Sequence, residues 1–191
     1  MVFPDGPYNS VHRMSSMTGD ASMRFDASGF SLDQIQALES DGFQVGTDGS
    51  VNTNTVVYHY AAFKSAAGTM AVGTYAGDAT DDRDITAGFQ PDWVIVDSDS
   101  SVEIGDGSPG SITRFAAMSG DISVNFSWAY ATTVFDNSIQ GFNVDGFQVG
   151  SDSVVNDNTA VFHWAAFADT LPSASGKLRI VSWVEVDPHA P

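Results

Sequence analysis

The chain has no cysteine, two lysines and three glutamates among its 191 residues. Without cysteine, disulfides and thiolate zinc sites are excluded. No apolar run reaches the roughly 18 residues that a membrane-spanning helix needs. The N-terminal sequence MVFPDGPYNS has neither the basic start nor the apolar core of a signal peptide. Nucleophile-elbow, phosphate-loop and zinc-protease signatures are missing as well, so the sequence indicates a protein without enzymatic activity.

The charge is strongly one-sided, with a formal net charge of −17 at pH 7. Binding to DNA or RNA phosphates needs clustered Lys and Arg, so the composition argues against a nucleic-acid partner and against an anionic membrane. Asp outnumbers Glu by 21 to 3. Dense surface carboxylates suit high salt and favour a marine or halophilic source. The alternative explanation for the excess of Asp is that the chain is rich in Asp-containing turns.

The dominant feature that is present is an internal repeat. Residues 41–63 (DGFQVGTDGSVNTNTVVYHYAAF) align without a gap with residues 145–167 (DGFQVGSDSVVNDNTAVFHWAAF), and 16 of 23 positions are identical. Upstream, Arg13 matches Arg114, and both are followed by similar Met-x-Gly-Asp turns. A tandem of one module more often builds or binds something than forms one asymmetric catalytic site.

The repeat divides the chain into a first module at residues 1–75 and a second at residues 76–191. The first is an incomplete copy, because the segment containing GFQPDWVIV in the second module has no counterpart before it. Residues 176–183 (GKLRIVSW) resemble residues 68–75 (GTMAVGTY). Either the chain is cut from a longer array, or residues 176–187 complete the first module. We expect completion, because an open half-module exposes an apolar face and a strand edge.

Short strands separated by Gly, Asp, Asn and Ser dominate the local pattern. Strands are predicted at residues 51–63, 70–75, 93–96, 111–117, 122–128, 155–167 and 178–186. The one helix candidate is residues 31–39, with Ser31 as N-cap and with Ile35 and Leu38 on one face. The pattern predicts an all-β protein of two tandem, related β-sandwich or jelly-roll-like modules.

Two motifs carry a resemblance to a known family. They are GFQPDWVIV at residues 88–96, and DGFQVG followed by an Asn-containing turn and a His-aromatic-Ala-Ala-Phe strand. In them the chain resembles a β-rich repeat module of tail-fibre and virion-surface proteins of tailed viruses, whether phages or archaeal viruses. The family often has Lys, Asn or Arg where this chain has DSDS at residues 97–100. The resemblance implies a structural or attachment role on a particle and no enzymatic activity.

His59 and His163 occupy matching positions in the repeated strand. They are candidates for a metal pair or for acid–base groups, but no carboxylate accompanies either at ligand spacing. We therefore expect each to hydrogen-bond across the sheet. The glutamates Glu39, Glu103 and Glu185 are the ones available for a glycosidase pair, and none recurs between the copies.

Oxygen-rich loops are the remaining candidates for a cofactor. They would draw on Asp48, Asn52, Asn54, Asp78, Asp81, Asp82, Asp84, Asp152, Asn156, Asp157 and Asn158. Such oxygens suit Ca²⁺, but they fit no calcium-loop pattern, and Asp and Asn are usual turn formers. We therefore predict turns and no bound metal or cofactor, with Ca²⁺ as the alternative.

These observations predict a structural virion-surface protein, either a capsid decoration or turret protein or a tail-fibre component. It would assemble into a homo-oligomer, with a trimer as the first expectation, contact other virion proteins and take part in host attachment. The alternative is a lectin-like carbohydrate-binding module that recognises a host surface glycan. Its stacking platform would come from Trp93, Trp128, Trp164, Trp183, Tyr58 and Tyr60, most of which we expect in the core.

Overall fold

A computed structural model of the chain describes residues 1–25, 30–99, 110–125 and 134–169. Within these ranges the chain is all-β, as predicted, and antiparallel strands form four sheets. The two described helices are single turns, α1 (Gly49–Asn52) and α2 (Ser153–Asn156). In this part of the chain no helix has the length and apolarity to cross a membrane.

The strands are short and follow one another closely along the chain. In order they are β1 (Val2–Pro4), β2 (Val11–His12), β3 (Ala21–Arg24), β4 (Phe30–Leu32), β5 (Ile35–Leu38), β6 (Phe43–Val45), β7 (Tyr58–Tyr60), β8 (Met70–Ala76), β9 (Arg83–Thr86), β10 (Trp93–Ser98), β11 (Ile112–Phe115), β12 (Ile122–Asn125), β13 (Val134–Asp136), β14 (Ile139–Asn143), β15 (Gly146–Val149) and β16 (Val161–Phe167).

The first half of the chain (residues 1–63) forms a five-stranded sheet of order β4-β3-β2-β1-β7 and the hairpin β5-β6. The second half (residues 70–167) forms a six-stranded sheet of order β13-β12-β11-β10-β16-β8 and a three-stranded sheet of order β14-β15-β9. β8 pairs with β16 along its whole length. Strand pairing therefore crosses the division that the sequence suggested between residues 75 and 76.

The two halves repeat each other strand by strand, because β1 to β7 correspond to β10 to β16. β1 lies between β2 and β7 in the same register in which β10 lies between β11 and β16, so Val2 takes the place of Val96. The sequence showed no counterpart of this strand in the first half, whereas the register places β1 there. The sequence Val-Phe-Pro in β1 shares only its valine with Val-Asp-Ser in β10, so the match was not visible.

Each half contains an arginine whose guanidinium group is surrounded by backbone carbonyls. We call this arrangement of arginine and carbonyls the arginine clamp. Arg114 donates to the carbonyl oxygens of Met118, Gly120, Ile122 and Ile139. Arg13 donates to the equivalent oxygens of Met17, Gly19, Ala21 and Ile35. Each clamp ties a turn to the following strand and to the hairpin of the same half. The hydrogen bonds of the clamp therefore explain why the Arg and the Met-x-Gly turn occur in both halves.

The helix predicted at residues 31–39 is wrong. These residues belong to β4 and β5, with Asp33 between them in a left-handed conformation (φ 61°). The Ser22 hydroxyl on β3 accepts from the N–H of Ile35 and donates to its carbonyl oxygen. Helical propensity in so short a segment is too weak to compete with this tertiary pairing.

The strands predicted at residues 51–63 and 155–167 begin later than expected. The carboxylates of Asp48 and Asp152 accept a hydrogen bond from the second N–H of α1 and α2, respectively, and so cap a helical turn. β7 and β16 form only after these turns. The strand predicted at residues 178–186 lies outside the described residues.

Apolar clusters lie within each half and between the halves. In the first half the buried cluster is Val2, Val11, Ile35 and Val51. The cluster of the second half is larger and includes residues of β8 and β9, such as Tyr75 and Ile85. The outer faces of the two large sheets meet through Met14, Met17, Met23, Ile95 and Ala165. The two halves therefore share one buried contact, although their own cores differ in extent.

We expect the arginine clamps to be sensitive to exchange for lysine. Arg13→Lys and Arg114→Lys keep the charge but lose the planar fork that reaches several carbonyls. A hydrogen bond from a charged group contributes about 1.5–3 kcal/mol, so urea unfolding should show a loss of about that size or more. Lys64→Arg, at an exposed position, is the control and should leave the midpoint unchanged. Losses below about 0.5 kcal/mol in both clamp variants would show that these bonds are not stabilising.

Candidate functional site

Two histidine pairs lie in the contact between the halves. Nε2 of His12 on β2 donates to Oδ2 of Asp97 on β10 over 2.8 Å, and both side chains are buried. Ser16 Oγ and Nδ1 of His163 on β16 are 2.9 Å apart. Within the described structure, His12 Nδ1 and Asp97 Oδ1 have no hydrogen-bond partner. Both pairs join the first half to the second inside a mainly apolar contact.

The two pairs do not combine into a nucleophile–base–carboxylate arrangement. Such an arrangement needs the carboxylate to orient the histidine that activates the serine. Asp97 lies opposite His163 in the strand register, yet its carboxylate is bonded to His12. Burial lowers the pKa of His163, and the nearby Asp99 and Asp97 act in the opposite direction. This geometry fits a neutral histidine that accepts from or donates to Ser16 as a structural contact.

The structure does not bring the repeated histidines together. His59, the equivalent of His163, is 65% exposed, and its Nε2 lies 3.2 Å from Oδ1 of Asp5, which is 63% exposed. Among the described residues, no group of three or more His, Asp or Glu side chains is placed to hold a metal ion. The matching positions thus have different surroundings, one on the surface and one in the contact between the halves.

The oxygen-rich loops form hydrogen-bonded turns. Hydrogen bonds from the hydroxyl and N–H of Thr80 lower the pKa of Asp78, and those of Thr159 lower the pKa of Asp157. Arg83 lies 3.3 Å from the Asp78 carboxylate. These carboxylates are occupied by their own turn residues, as capping and turn-forming Asp residues commonly are.

The remaining acidic candidates serve local contacts or lie outside the described residues. Asp81 accepts from the side chain of Gln140 on β14, and Asp84 on β9 accepts from Asn143. Glu39 donates its backbone N–H to the carbonyl of Gly42 in the β5–β6 turn. Glu103 and Glu185 lie outside the described residues, so the structure does not place them.

The described aromatic candidates separate into buried and exposed groups. Trp164 packs in the core of the second half with its ring 5.6 Å from Phe147. Trp93 stacks with Phe115 and Phe167 at 5.8 and 4.6 Å between ring centroids. Trp128 and Trp183 lie outside the described residues. In the repeated strand of the first half Tyr60 and Phe63 are exposed, at 68% and 53%, and Tyr58 packs against the core of that half.

An apolar cavity of about 360 Å³ lies between the two halves. Its wall includes Met1, Met14, Phe63, Ile95 and Phe167, and it therefore draws on both halves. Ligand sites usually combine such a lining with a few convergent polar groups. The Met1 ammonium in this wall donates to the carbonyl oxygen of Ala61, and the clamp carbonyls hold the Arg13 guanidinium.

The first half exposes residues that the second half buries. β16 lies between β10 and β8, whereas β7 has β1 on one side and no described strand on the other. As a result Tyr60 is 68% exposed, while its equivalent Trp164 is 6% exposed. Val57 and Phe63 are also exposed. Among the described strands, β7 therefore presents an unpaired edge.

The hairpin of the first half has a second such edge. β15 lies between β14 and β9, whereas β6 pairs with β5 alone among the described strands. Val45 on β6 is 36% exposed, and its equivalent Val149 is 0% exposed. A Cβ at Gly146 would lie 2.0 Å from the carbonyl oxygen of Ile85 on β9, but a Cβ at Gly42 would meet nothing within 4 Å. The glycine that β9 requires is thus repeated where the described structure has no β9 equivalent.

A repeated asparagine shows the same difference. Nδ2 of the buried Asn156 donates to the carbonyl oxygens of Gly150 and Thr80, and its Oδ1 accepts from the N–H of Asp78. The last two bonds hold the segment between β8 and β9. Asn52 is exposed, and among the described residues it keeps the bond to the last glycine of DGFQVG.

One surface of the first half, which we call the open face, consists of the edges of β6 and β7 and the side chains of Leu38, Phe43, Val45 and Tyr60. β8 and β9 cover the equivalent surface in the second half. Sequence reasoning missed this surface as a site, although a signal was present. The signal is that the residues on which β9 packs in the second half are repeated in the first half.

Comparisons of the chain with family models, with curated proteins and with solved structures give no match.

We expect the buried His12–Asp97 pair to be far more important for stability than the exposed His59–Asp5 pair. Leaving a buried hydrogen-bonding group without its partner typically costs about 1–3 kcal/mol, and more where the group is charged. Asp97→Asn should therefore lower the free energy of unfolding strongly, and Asp5→Asn should change it by less than about 1 kcal/mol. Denaturant unfolding of both variants measures the difference. Equal small losses would mean that His12 and Asp97 do not stabilise the contact between the halves.

We also expect His163 to make the fold less stable toward acid. Because burial lowers its pKa, the unfolded chain takes up a proton at higher pH than the folded protein does. The free energy of unfolding should therefore fall as the pH decreases through the ordinary histidine pKa of about 6.5 and toward the lower folded value. His163→Gln should reduce this loss in urea unfolding between about pH 7 and 5. His59→Gln, at the exposed equivalent, is the matched control, and identical slopes in all three proteins would refute the assignment.

Proposed function

We propose that the protein is a structural component of a virus-particle surface and acts by assembling into a homo-oligomer. The observation that carries this proposal is the open face, a strand-edge surface that no described strand covers in the first half and that β8 and β9 cover in the second. The resemblance of the sequence motifs to tail-fibre and virion-surface modules supports the same role. Capsid decoration, turret and tail fibre are all compatible with it, as is a part in host attachment.

The open face has the properties of a surface that adds a strand from a partner. Unpaired N–H and C=O groups at a strand edge bind an extended segment, and neighbouring apolar side chains add affinity. Leu38 and Val45 are exposed beside the edge of β6. Because β9 fits the equivalent edge of β15, a strand of this chain has the right shape for β6. We assign the β6 edge to a second copy of this chain, and a trimer is the first expectation.

The charge of the chain bears on the conditions for assembly. A net charge of −17 makes copies repel each other at low ionic strength. Molar salt shortens the screening length to about 3 Å and removes most of this repulsion. A marine or halophilic setting is consistent with that requirement, and assembly should be strongest there.

A lectin-like module that binds a host glycan is the second candidate. It is favoured by Tyr60, which is 68% exposed and whose ring lies 5.2 Å from that of Phe43. An exposed aromatic pair of this kind can stack on a sugar. Loss of glycan binding in Tyr60→Ala, with an unchanged fold, would favour this candidate.

We expect light scattering on a size-exclusion column to give a stable multimer in molar salt, with and without chelator. Val45→Lys places a charge beside the β6 edge and should shift the multimer to monomer without lowering the thermal midpoint, because Val45 is already partly exposed. Val144→Lys is the matched control, because Val144 is 86% exposed in a turn. It adds the same charge and should leave the mass unchanged.

A monomer at high salt and high concentration would overturn the assembly proposal and favour the sugar-binding module. Loss of the multimer with chelator would instead indicate Ca²⁺ in the contact. A multimer that both lysine variants leave intact would move the contact away from β6.

A further inference from the structure

We propose that the cavity between the two halves binds an amphiphile that has an unbranched alkyl chain and one anionic head group, such as a medium-chain fatty acid. The alkyl chain lies on the apolar floor of the cavity, and the head group lies at its rim beside Lys64. Both halves of one chain supply the wall, so the site does not depend on assembly into an oligomer.

The cavity is larger than a packing defect. Protein interiors are close-packed and contain few voids larger than a water molecule. The volume of this cavity is about 360 Å³. An engineered apolar cavity of about 150 Å³ is already large enough to bind benzene. Ligand pockets span about 300–1,000 Å³, so the space between the halves has the size of a site for a small organic molecule.

The floor of the cavity, by which we mean the buried part of its wall, is almost entirely apolar. Its residues are His12, Met14, Ile35, Ile95 and Ala165. Further apolar side chains of the wall are half-buried, namely Met1, Met70, Val72 and Phe167. Methionine side chains are flexible and polarisable and adapt to the shape of a bound apolar group. An alkyl chain therefore fits this surface and gains free energy by leaving water.

The rim of the cavity, by which we mean the exposed part of its wall, carries a lysine and two hydroxyl groups. Its residues are Ser15, Leu38, Ala62, Phe63, Lys64 and Ser65. Lys64 is one of two lysines in the chain. Ammonium and hydroxyl groups donate hydrogen bonds, and the ammonium adds a positive charge, so this rim suits an anionic acceptor such as a carboxylate.

The other polar groups of the wall are held inside the protein. The carbonyls of the clamp hold the Arg13 guanidinium, and Nε2 of His12 donates to Asp97. The N-terminal ammonium donates to the carbonyl oxygen of Ala61. An anionic head group on the floor would lose its hydration without gaining a cation that is free to move to it. The head group therefore belongs at the rim, with the alkyl chain beneath it.

The charge of the wall is opposite in sign to that of the chain. The chain has 24 Asp and Glu residues and 7 Lys and Arg residues. Among the described residues that line the cavity, none is Asp or Glu, whereas Arg13 and Lys64 are both present. A local excess of positive charge favours an anionic ligand over a cationic one. The apolar floor and the sign of the charge thus point to the same class of molecule.

Methionine methyl NMR tests the location of the site without a mutation. Met14 and Met70 line the cavity, whereas Met118, whose carbonyl belongs to the clamp of the second half, does not. During titration with decanoate below its micelle concentration, the methyl signals of Met14 and Met70 should shift along one saturation curve. The signal of Met118 should stay in place. No shift at Met14 and Met70, or equal shifts at all three, would overturn the proposal.

The same signals measure the affinity of a ligand series at this site. The affinity should rise about three- to fourfold for each CH₂ group added between hexanoate and decanoate, because each group leaves water. Decylammonium should bind about tenfold more weakly than decanoate, because it meets repulsion from Lys64 in place of attraction. A salt concentration of about 0.15 M keeps the contact at the rim while it screens distant carboxylates. Affinity that is independent of chain length, or equal for the two head groups, would contradict the assigned ligand class.

Substitution of Lys64 tests the position of the head group. Lys64→Gln should weaken decanoate binding about two- to fivefold, as expected for an exposed ion pair, and should leave binding of the uncharged decanol unchanged. Lys64→Arg keeps the charge and should bind decanoate as the unmodified protein does. Equal losses for decanoate and decanol in Lys64→Gln would refute the placement of the head group beside this lysine.

A cavity-filling substitution tests the position of the alkyl chain. Val72→Phe adds a ring to the wall and should weaken decanoate binding at least tenfold, because the ring occupies space that the alkyl chain needs. Thr74→Phe is the matched control. It adds the same ring to the same face of β8, at an exposed position outside the wall, and should bind normally. Normal binding by a folded Val72→Phe protein would overturn the proposal.

The assembly variant separates this proposal from the proposed function. Val45 does not line the cavity. Val45→Lys should therefore bind decanoate with unchanged affinity, whether its mass is that of a monomer or of a multimer. The outcome of the ligand titrations is thus independent of the outcome of light scattering. Loss of decanoate binding in Val45→Lys would overturn a site formed within one chain.

Discussion

The pairing of β8 with β16 is the interaction on which the contrast between the two halves depends. It gives β16 a strand on both sides and extends it to seven residues, whereas β7 has three. With β9 beside β15, it closes the core of the second half around residues whose equivalents in the first half are exposed. Nearly identical sequences thus form the same strands in both places, and a neighbouring strand decides whether their side chains are buried.

The repeated residues therefore fall into two groups, according to whether their contacts lie inside one half or require a neighbouring strand. The arginine clamps, the capping Asp48 and Asp152, and the glycine that ends DGFQVG find all their partners inside one half. Gly42 and Asn52 have the identity needed to receive a neighbouring strand and the segment that leads to it. In the described structure, only their equivalents Gly146 and Asn156 make those contacts. This difference between the halves is the observation behind the proposed strand-binding role of the open face.

The sequence predicted the all-β class and the repeat because both depend on local patterns of β-branched residues, turn formers and identical segments. It failed at residues 31–39, where the N-cap signal and the shared apolar face were overridden by hydrogen bonds to Ser22, 13 residues away along the chain. It also missed the His12–Asp97 pair. These residues are 85 positions apart, and their equivalents Thr113 and Phe3 carry no matching chemistry. Polar pairs between two elements leave no periodic signal, so only the folded arrangement shows them.

The contact between the halves joins unlike surfaces: β2 and the turn after it in the first half meet β10 and β16 in the second. A duplicated chain of this kind separates two sorts of selection. Positions that serve the interior of each copy are alike in both, as in DGFQVG. Some positions at the junction differ, as Ser16 and Ala117 do, whereas His163 and its equivalent His59 are identical although only His163 lies in the contact. A duplicated chain therefore carries some residues twice whose contacts are made in one copy alone.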